Sequence, residues 1–144
     1  MKTSSETQIR QLLDARAEAI RAKDVDGVMT AYATDTVFYD ALPPLRHVGA
    51  SSARERVEAW LGGYVEGAPS VEIRDLTIAA GEDTGFCYYL YRVSGRLTTG
   101  TEVDMWVRAT MCLQNAAGRW IITHQHDSVP FDAQTGAAVF DQAP

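Results

Sequence analysis

Cysteine is scarce in this chain: Cys87 and Cys112 are the only two among 144 residues. They are too few and too isolated for a disulfide framework or a zinc motif. Strand phasing puts them on opposite faces, and both read as buried thiols. Basic residues are also in deficit, with 13 Lys and Arg against 19 Asp and Glu, and the resulting net charge of −6 removes nucleic acid and anionic membranes as expected partners. No apolar run approaches the roughly 20 residues of a membrane span. The amino-terminal MKTSSETQIRQ lacks the apolar centre of a secretory signal, so the expected compartment is the cytoplasm. There is no phosphate-binding glycine loop after a strand, no metal-ligand cluster, no repeat and no low-complexity segment. The expected cofactor and metal content is therefore none.

What remains is ordinary globular material, 46% hydrophobic and 22% charged, enough for one core. A single domain over 1–144 is expected, with a core of about 5–131 and a tail from 132 to 144. Residues 5–22 read as an amphipathic helix, with Ser5 and Gln8 in capping-box spacing and an apolar stripe of Ile9, Leu12, Leu13, Ala17 and Ile20. Arg16 falls within that stripe, where it either snorkels to the surface or points into a polar pocket. Asp24 caps a short second helix, and 36–40 reads as a short strand stopped by the loop ALPPLRHVG. Ser51 or Ser52 begins a third helix with a seam of Val57, Trp60, Leu61 and Tyr64. From about residue 70 the period becomes alternating, and 71–80, 85–96, 101–114 and 119–129 read as strands joined by the hairpin turns GEDTG, TTGTE and QNAAGR. A phase slip between Val71-Ile73 and Leu76-Ile78 marks a bulge near Arg74-Asp75. The fold class is α+β, helices on one face of a curved, mainly antiparallel sheet.

The stretch WIITHQHDSVPF carries two of the three histidines, and strict alternation puts Trp120, Ile122, His124, His126 and Ser128 on one face. If Cys112 faces Ile122, then Thr110 meets His124 and Arg108 meets His126, gathering them with Trp106. The opposite face, Val107, Ala109, Met111 and Leu113, needs cover from helices or from another subunit, and this motivates an expected homodimer. In the preceding strand Phe86, Tyr88, Leu90 and Arg92 share one face and Cys87, Tyr89, Tyr91 and Val93 the other. Alternation alone leaves open which face the helices cover.

The segments DVDGVMTAYATDTVFYDALPPLRHVG, WVRAT and AAGRWIITHQHDSVPF, in that order around a helix, resemble the SnoaL-like and ketosteroid-isomerase-like branch of the nuclear-transport-factor-2-like superfamily. The resemblance covers nearly the whole chain. It is closest at Arg108, Thr110, Gly118, Trp120, His124, His126, Ser128 and Pro130. The association domains of calmodulin-dependent kinases carry a similar strand. The resemblance implies a cone of about three helices and sheet enclosing a pocket, often a homodimer through the sheet, and no single activity. It also favours the even-numbered residues as the pocket face. Asp40 matches the general-base carboxylate of the steroid isomerases, whereas their two oxyanion donors correspond to Arg16 and Thr110, so true steroid isomerisation is not expected.

Asp40 is thus the candidate base in a mouth of Phe38, Tyr39, Trp60 and Trp106, or else a turn cap. Arg108 and His126 are the candidate electrophilic or proton-transfer partners. Arg16, Tyr39, Trp60, Tyr88, Arg92, Trp106, Thr110 and His124 complete the expected ligand site. The competing readings are a structural histidine pair, and arginines neutralised by Asp104, Asp127 or Glu102. The function expected is binding of a small acidic or carbonyl-containing molecule, with isomerase, dehydratase or cyclase chemistry. The alternative is a noncatalytic binding or assembly domain.

Overall fold

The computed structural model describes residues 3–144. Helix α1 (Ser5–Arg21) begins one residue earlier than its capping-box spacing suggests: Ser4, not Ser5, is the cap, accepting from the Thr7 amide at 3.2 Å. Asp24 caps α2 (Val25–Met29) as expected, through the Gly27 amide. Strand β1 (Tyr32–Tyr39) is longer than predicted, and the following loop contains a two-residue strand, β2 (His47–Val48), paired antiparallel to it. Helix α3 (Ala50–Gly62) has Gly49 at its N-cap, not Ser51 or Ser52, because the Ser52 hydroxyl is turned to His47 Nδ1 at 2.9 Å. His47 is consequently buried.

Strands β3 (Ser70–Ala80), β4 (Thr84–Arg96), β5 (Glu102–Ala116) and β6 (Arg119–Ser128) form the expected meander. The sheet order is β2-β1-β6-β5-β4-β3, with β1 parallel to β6 and every other pair antiparallel. An amino-terminal strand therefore lies against the last strand, a long-range pairing that local pattern does not encode. The architecture is α+β, three helices on one face of an open six-stranded sheet, consistent with the expected cone. The bulge near Arg74-Asp75 is present as a register shift between Arg74 and Thr77, with Asp75 at φ +55°. The tail is tied back by hydrogen bonds from the Val139 amide to the Pro130 carbonyl and from the Trp106 amide to the Phe140 carbonyl.

The helix-covered face is the odd-numbered one. Cys87, Tyr89, Ala109, Met111 and Leu113 pack with Ile9 and Leu13 of α1, and Val107 is buried on the same face, so the proposed assignment of Phe86, Tyr88, Leu90 and Arg92 to the cavity side is corrected. Phe86 and Tyr88 are 47% and 49% exposed. The physical reason is volume: the odd set is almost wholly apolar and supplies the larger continuous surface for helix packing. A second departure lies in β6, where the register slips as Cys112 pairs with His124 but Leu113 pairs with Ile122. Thr123 is the extra residue of this bulge, and strict alternation fails there. Trp120 and Ile122 point into the core, and beyond the bulge so do Gln125 and Asp127.

Candidate functional site

The interior beneath the helices contains a connected set of polar side chains supplied by four elements, α1, β1, β4 and β6. From α1, Arg16 turns inward and donates from Nε to the Tyr32 hydroxyl at 3.0 Å. Tyr32, at the start of β1, donates to Gln125 Oε1. Gln125 donates from Nε2 to Asp127 Oδ1 at 2.9 Å, and Tyr91 of β4 donates to Asp127 Oδ2 at 2.8 Å. Asp127 is 2% exposed, and burial pushes its pKa above the ordinary carboxylate value, with the Gln125 and Tyr91 hydrogen bonds and the nearby Arg56 and Arg16 acting in the opposite sense. Tyr91 is held well above the ordinary phenol value by burial and by Asp127, so its hydroxyl stays protonated.

Beside this chain, α3 contributes Arg56. Its guanidinium grips Asp40 at two points, Nε to Oδ2 at 2.6 Å and Nη2 to Oδ1 at 3.1 Å. The two side chains are 13% and 4% exposed. The Arg56 guanidinium also lies over the rings of Trp60 and Phe38, at 4.8 and 5.1 Å from their centroids. Asp40 additionally accepts from the Ala41 amide at 2.7 Å, so the expected turn-capping contact coexists with the buried ion pair. A cavity of about 50 Å³ is lined by Asp40, Arg56, Trp60, Tyr91, Met105 and Val107 among others. A closed space of about 10 Å³, the size of one water, lies on the α1 side of Arg56, Trp60 and Tyr91 and reaches Arg16 and Tyr89.

Of the residues expected in the site, the structure brings Asp40, Arg16 and Trp60 to this interior. The other eight lie on the outward sheet face. The predicted Arg108-to-His126 pairing is off by two residues: Arg108 pairs with Ser128, and Thr110 pairs with His126. One residue of this offset is already present at the turn, where Leu113 and not Cys112 pairs with Ile122, and the Thr123 bulge adds the other. Arg108 donates to the Ser128 hydroxyl at 3.0 Å and lines an outer groove of about 260 Å³ with Leu90, Trp106, Pro130 and the tail. His126 is exposed, its ring 5.5 Å edge-on from Tyr39. His124 Nδ1 lies 2.7 Å from the Val37 carbonyl, the structural tie considered above, so that nitrogen carries the proton in the neutral ring. Arg92 is neutralised by Asp104 through two 2.7 Å contacts. Tyr88 stacks on Phe86, Trp106 lies under Arg74, and Thr110 is exposed.

Tyr32, Arg56, Tyr91, Gln125 and Asp127 were not among the expected site residues. Their signal was available in the odd phase of β4 and β5: choosing the more apolar face as buried places Tyr91 beneath the helices. The chemistry of the interior is that of a carboxylate fixed by a cation, next to a second carboxyl disposed to hold a proton and linked to a phenol.

The fold and this interior define an α+β domain of the nuclear-transport-factor-2-like type. The chain belongs to the SnoaL-like domain family, whose model matches residues 9–132. It is similar to an NTF2-like protein from Pseudomonas putida, 31% identical, with 100% of this chain and 99% of that one covered at a TM-score of 0.86. It is also similar in fold to an NTF2-like superfamily protein from Salmonella enterica, 14% identical over 93% of this chain and 96% of that one, TM-score 0.78. A ketosteroid isomerase-like protein from Erwinia carotovora atroseptica is 19% identical over 88% and 97% of the two chains, TM-score 0.71. No curated protein matches the sequence. Among the described residues, no helix is long and apolar enough to cross a membrane.

Proposed function

We propose that this protein binds a small carbonyl compound in its interior and moves a proton beside the carbonyl without a cofactor, in the manner of an isomerase, dehydratase or cyclase. The observation that carries this reading is Asp40, a buried carboxylate fixed at both oxygens by Arg56 and lining a cavity beside Tyr91. In the proposed step Asp40 takes the proton from carbon and the developing enolate oxygen accepts a hydrogen bond from Tyr91. Asp127 governs that donor. While Asp127 is ionised, the Tyr91 hydroxyl is committed to it. When Asp127 is neutral, its own O–H donates to the Tyr91 oxygen and the phenolic hydrogen turns to the cavity. Tyr91 and Asp127 thus take the electrophilic and proton-transfer roles first assigned to Arg108 and His126, and Arg56 fixes the base. The space of about 50 Å³ beside Asp40 suits a compact reacting group and disfavours a steroid skeleton. The likeness to a ketosteroid isomerase-like protein supports the reaction class.

Deuterium uptake by butanone in heavy water, followed by proton NMR, tests the reading. The protein is expected to accelerate uptake, and Asp40→Asn to reduce the acceleration by about 100-fold, the usual scale of general-base catalysis. Asp40→Asn strands the Arg56 charge, so the double variant Asp40→Asn/Arg56→Met, which does not, is expected to fold and to be equally inactive. Absence of acceleration by the wild type, or undiminished acceleration in the folded double variant, would overturn it.

The proposed partner arrangement is a homodimer, on a face other than the one first considered. Val107, Ala109, Met111 and Leu113 are covered by the helices, whereas Phe86, Tyr88, Leu90, Trp106 and Tyr39 form a broad aromatic outward face. That uncovered face supports the reading.

A further inference from the structure

A groove of about 470 Å³, separate from the interior, lies on the far side of α1, between that helix, the Gly27–Ala31 segment and the β5–β6 turn. Its apolar wall includes Leu12, Ala15 and Trp120; its polar groups include Gln11, Arg16 and Arg119. Neither Asp nor Glu lines it, although the chain as a whole carries a net charge of −6. Two guanidiniums concentrated in one groove of an acidic protein create a local potential opposite to that of the surrounding surface.

The two arginines differ in how they are held. Arg119 is exposed and reaches across to the Thr30 carbonyl, tying the β5–β6 turn to the end of α2 at the side of the groove. Arg16 has the Nε contact to Tyr32 and, among the described residues, no ion pair and no other hydrogen bond. A guanidinium has five N–H donors. Four on Arg16 therefore lack a protein acceptor, on a part-buried side chain that lines both this groove and the closed interior space. The charge of Asp127 reaches Arg16 from the interior, whereas neither Asp nor Glu meets it on the groove side. Trp120 is 4% exposed and borders the groove only with what remains of its surface, held in place by donation from its Nε1 to Gln8 Oε1 at 2.9 Å.

We propose that this groove is a binding site for a small aromatic monocarboxylate, its carboxylate on Arg16 and Arg119 and its ring against Leu12, Ala15 and Trp120. The volume lies within the roughly 300–1,000 Å³ usual for small-molecule sites. Planar guanidiniums suit a carboxylate because two parallel N–H donors match its two oxygens. The site is distinct from the interior cavity at Asp40, and its occupancy requires no turnover.

Benzoate and its neutral isostere benzamide are the probes, titrated into the nitrogen-15-labelled protein while the tryptophan indole resonances are followed. Benzoate is expected to shift the Trp120 indole signal, which reports the groove, and to leave that of Trp60, which lines the interior, nearly unmoved. Benzamide should bind at least about tenfold more weakly, the factor for losing a charge-assisted contact. Arg119→Gln should weaken benzoate by about fivefold to tenfold, and Arg16→Gln by more. If Arg16→Gln fails to fold, the Arg119 variant and the benzamide comparison still decide. Equal binding of the two probes, a shift at Trp60 without one at Trp120, or no shift at about 10 mM benzoate would overturn the proposal. None of these outcomes touches the butanone experiment, so the two readings fail separately.

Discussion

Asp127 carries the most distinctive chemistry in the molecule at the level of a single residue. Its pKa is raised by burial, so the folded state holds the proton more tightly than the unfolded chain, whose carboxyl titrates near 3.8. The sign follows from linkage: between the unfolded and folded values the native state binds more protons, and stability falls as pH rises through that window. Asp127→Asn keeps an acceptor for Gln125 Nε2 and offers N–H to the Tyr91 oxygen, reproducing the neutral acid without its titration. The stability of this variant relative to wild type is expected to rise with pH above about 4 and then level off. Urea unfolding of both proteins across that range measures it, and a difference independent of pH would refute the assignment. Asp127 was read from sequence only as one possible neutraliser of Arg108 or Arg92, because alternation alone left open which sheet face the helices cover, and so which strand phase is buried.

That phase is a property of the element. The spans of β3 to β6 were legible to within about two residues because alternation is strong there, and the Arg74-Asp75 bulge showed itself as a slip between two apolar phases. The Thr123 bulge left no such trace: Trp120, Ile121, Ile122 and Thr123 all favour strands, so either phase fits the pattern. A turn register shifted by one residue and one unseen extra residue at Thr123 together misaligned Arg108 and His126. The parallel docking of β1 on β6 was equally unreadable, since it joins segments with no local pattern in common. The turn before β6, in contrast, was legible as QNAAGR. Its central residues Ala117 and Gly118 have φ of +54° and +86°, the geometry of a type I′ hairpin turn. Alanine is poorly suited to the first of these positions and asparagine well suited. Ala117→Asn is expected to raise stability by about 0.5–1 kcal/mol, read as a higher urea midpoint at unchanged m-value. A lower midpoint would show that the turn is not strained at Ala117.

For the whole molecule the outward sheet face is the feature that sets behaviour in solution. Phe86 and Tyr88 stack in parallel at 6.4 Å, with Trp106 and the Tyr39, His124 and His126 rings on the same side of the sheet. A second copy related by a two-fold axis would cover this surface with its own equivalent. Sedimentation equilibrium at micromolar concentration is expected to give a dimer, and Tyr88→Lys to shift it toward monomer by placing a charge amid the aromatics. A monomeric wild type would reject the arrangement. The cone-like α+β form was predicted correctly, but the sheet face that the helices cover was inverted, because both sheet faces are partly apolar and composition alone does not rank them.

The parallel seam between β1 and β6 also bears on how the protein is made. Tyr32 and Gln125, which meet across that seam, are 93 residues apart. At a synthesis rate of about 5–20 residues per second, the first waits roughly 5 to 20 s for the second to be made. During that interval the nascent chain carries Arg16 and Tyr32 with no Gln125 or Asp127 to meet them, and an open strand edge where β6 belongs. The polar interior is completed only as the last strand leaves the ribosome.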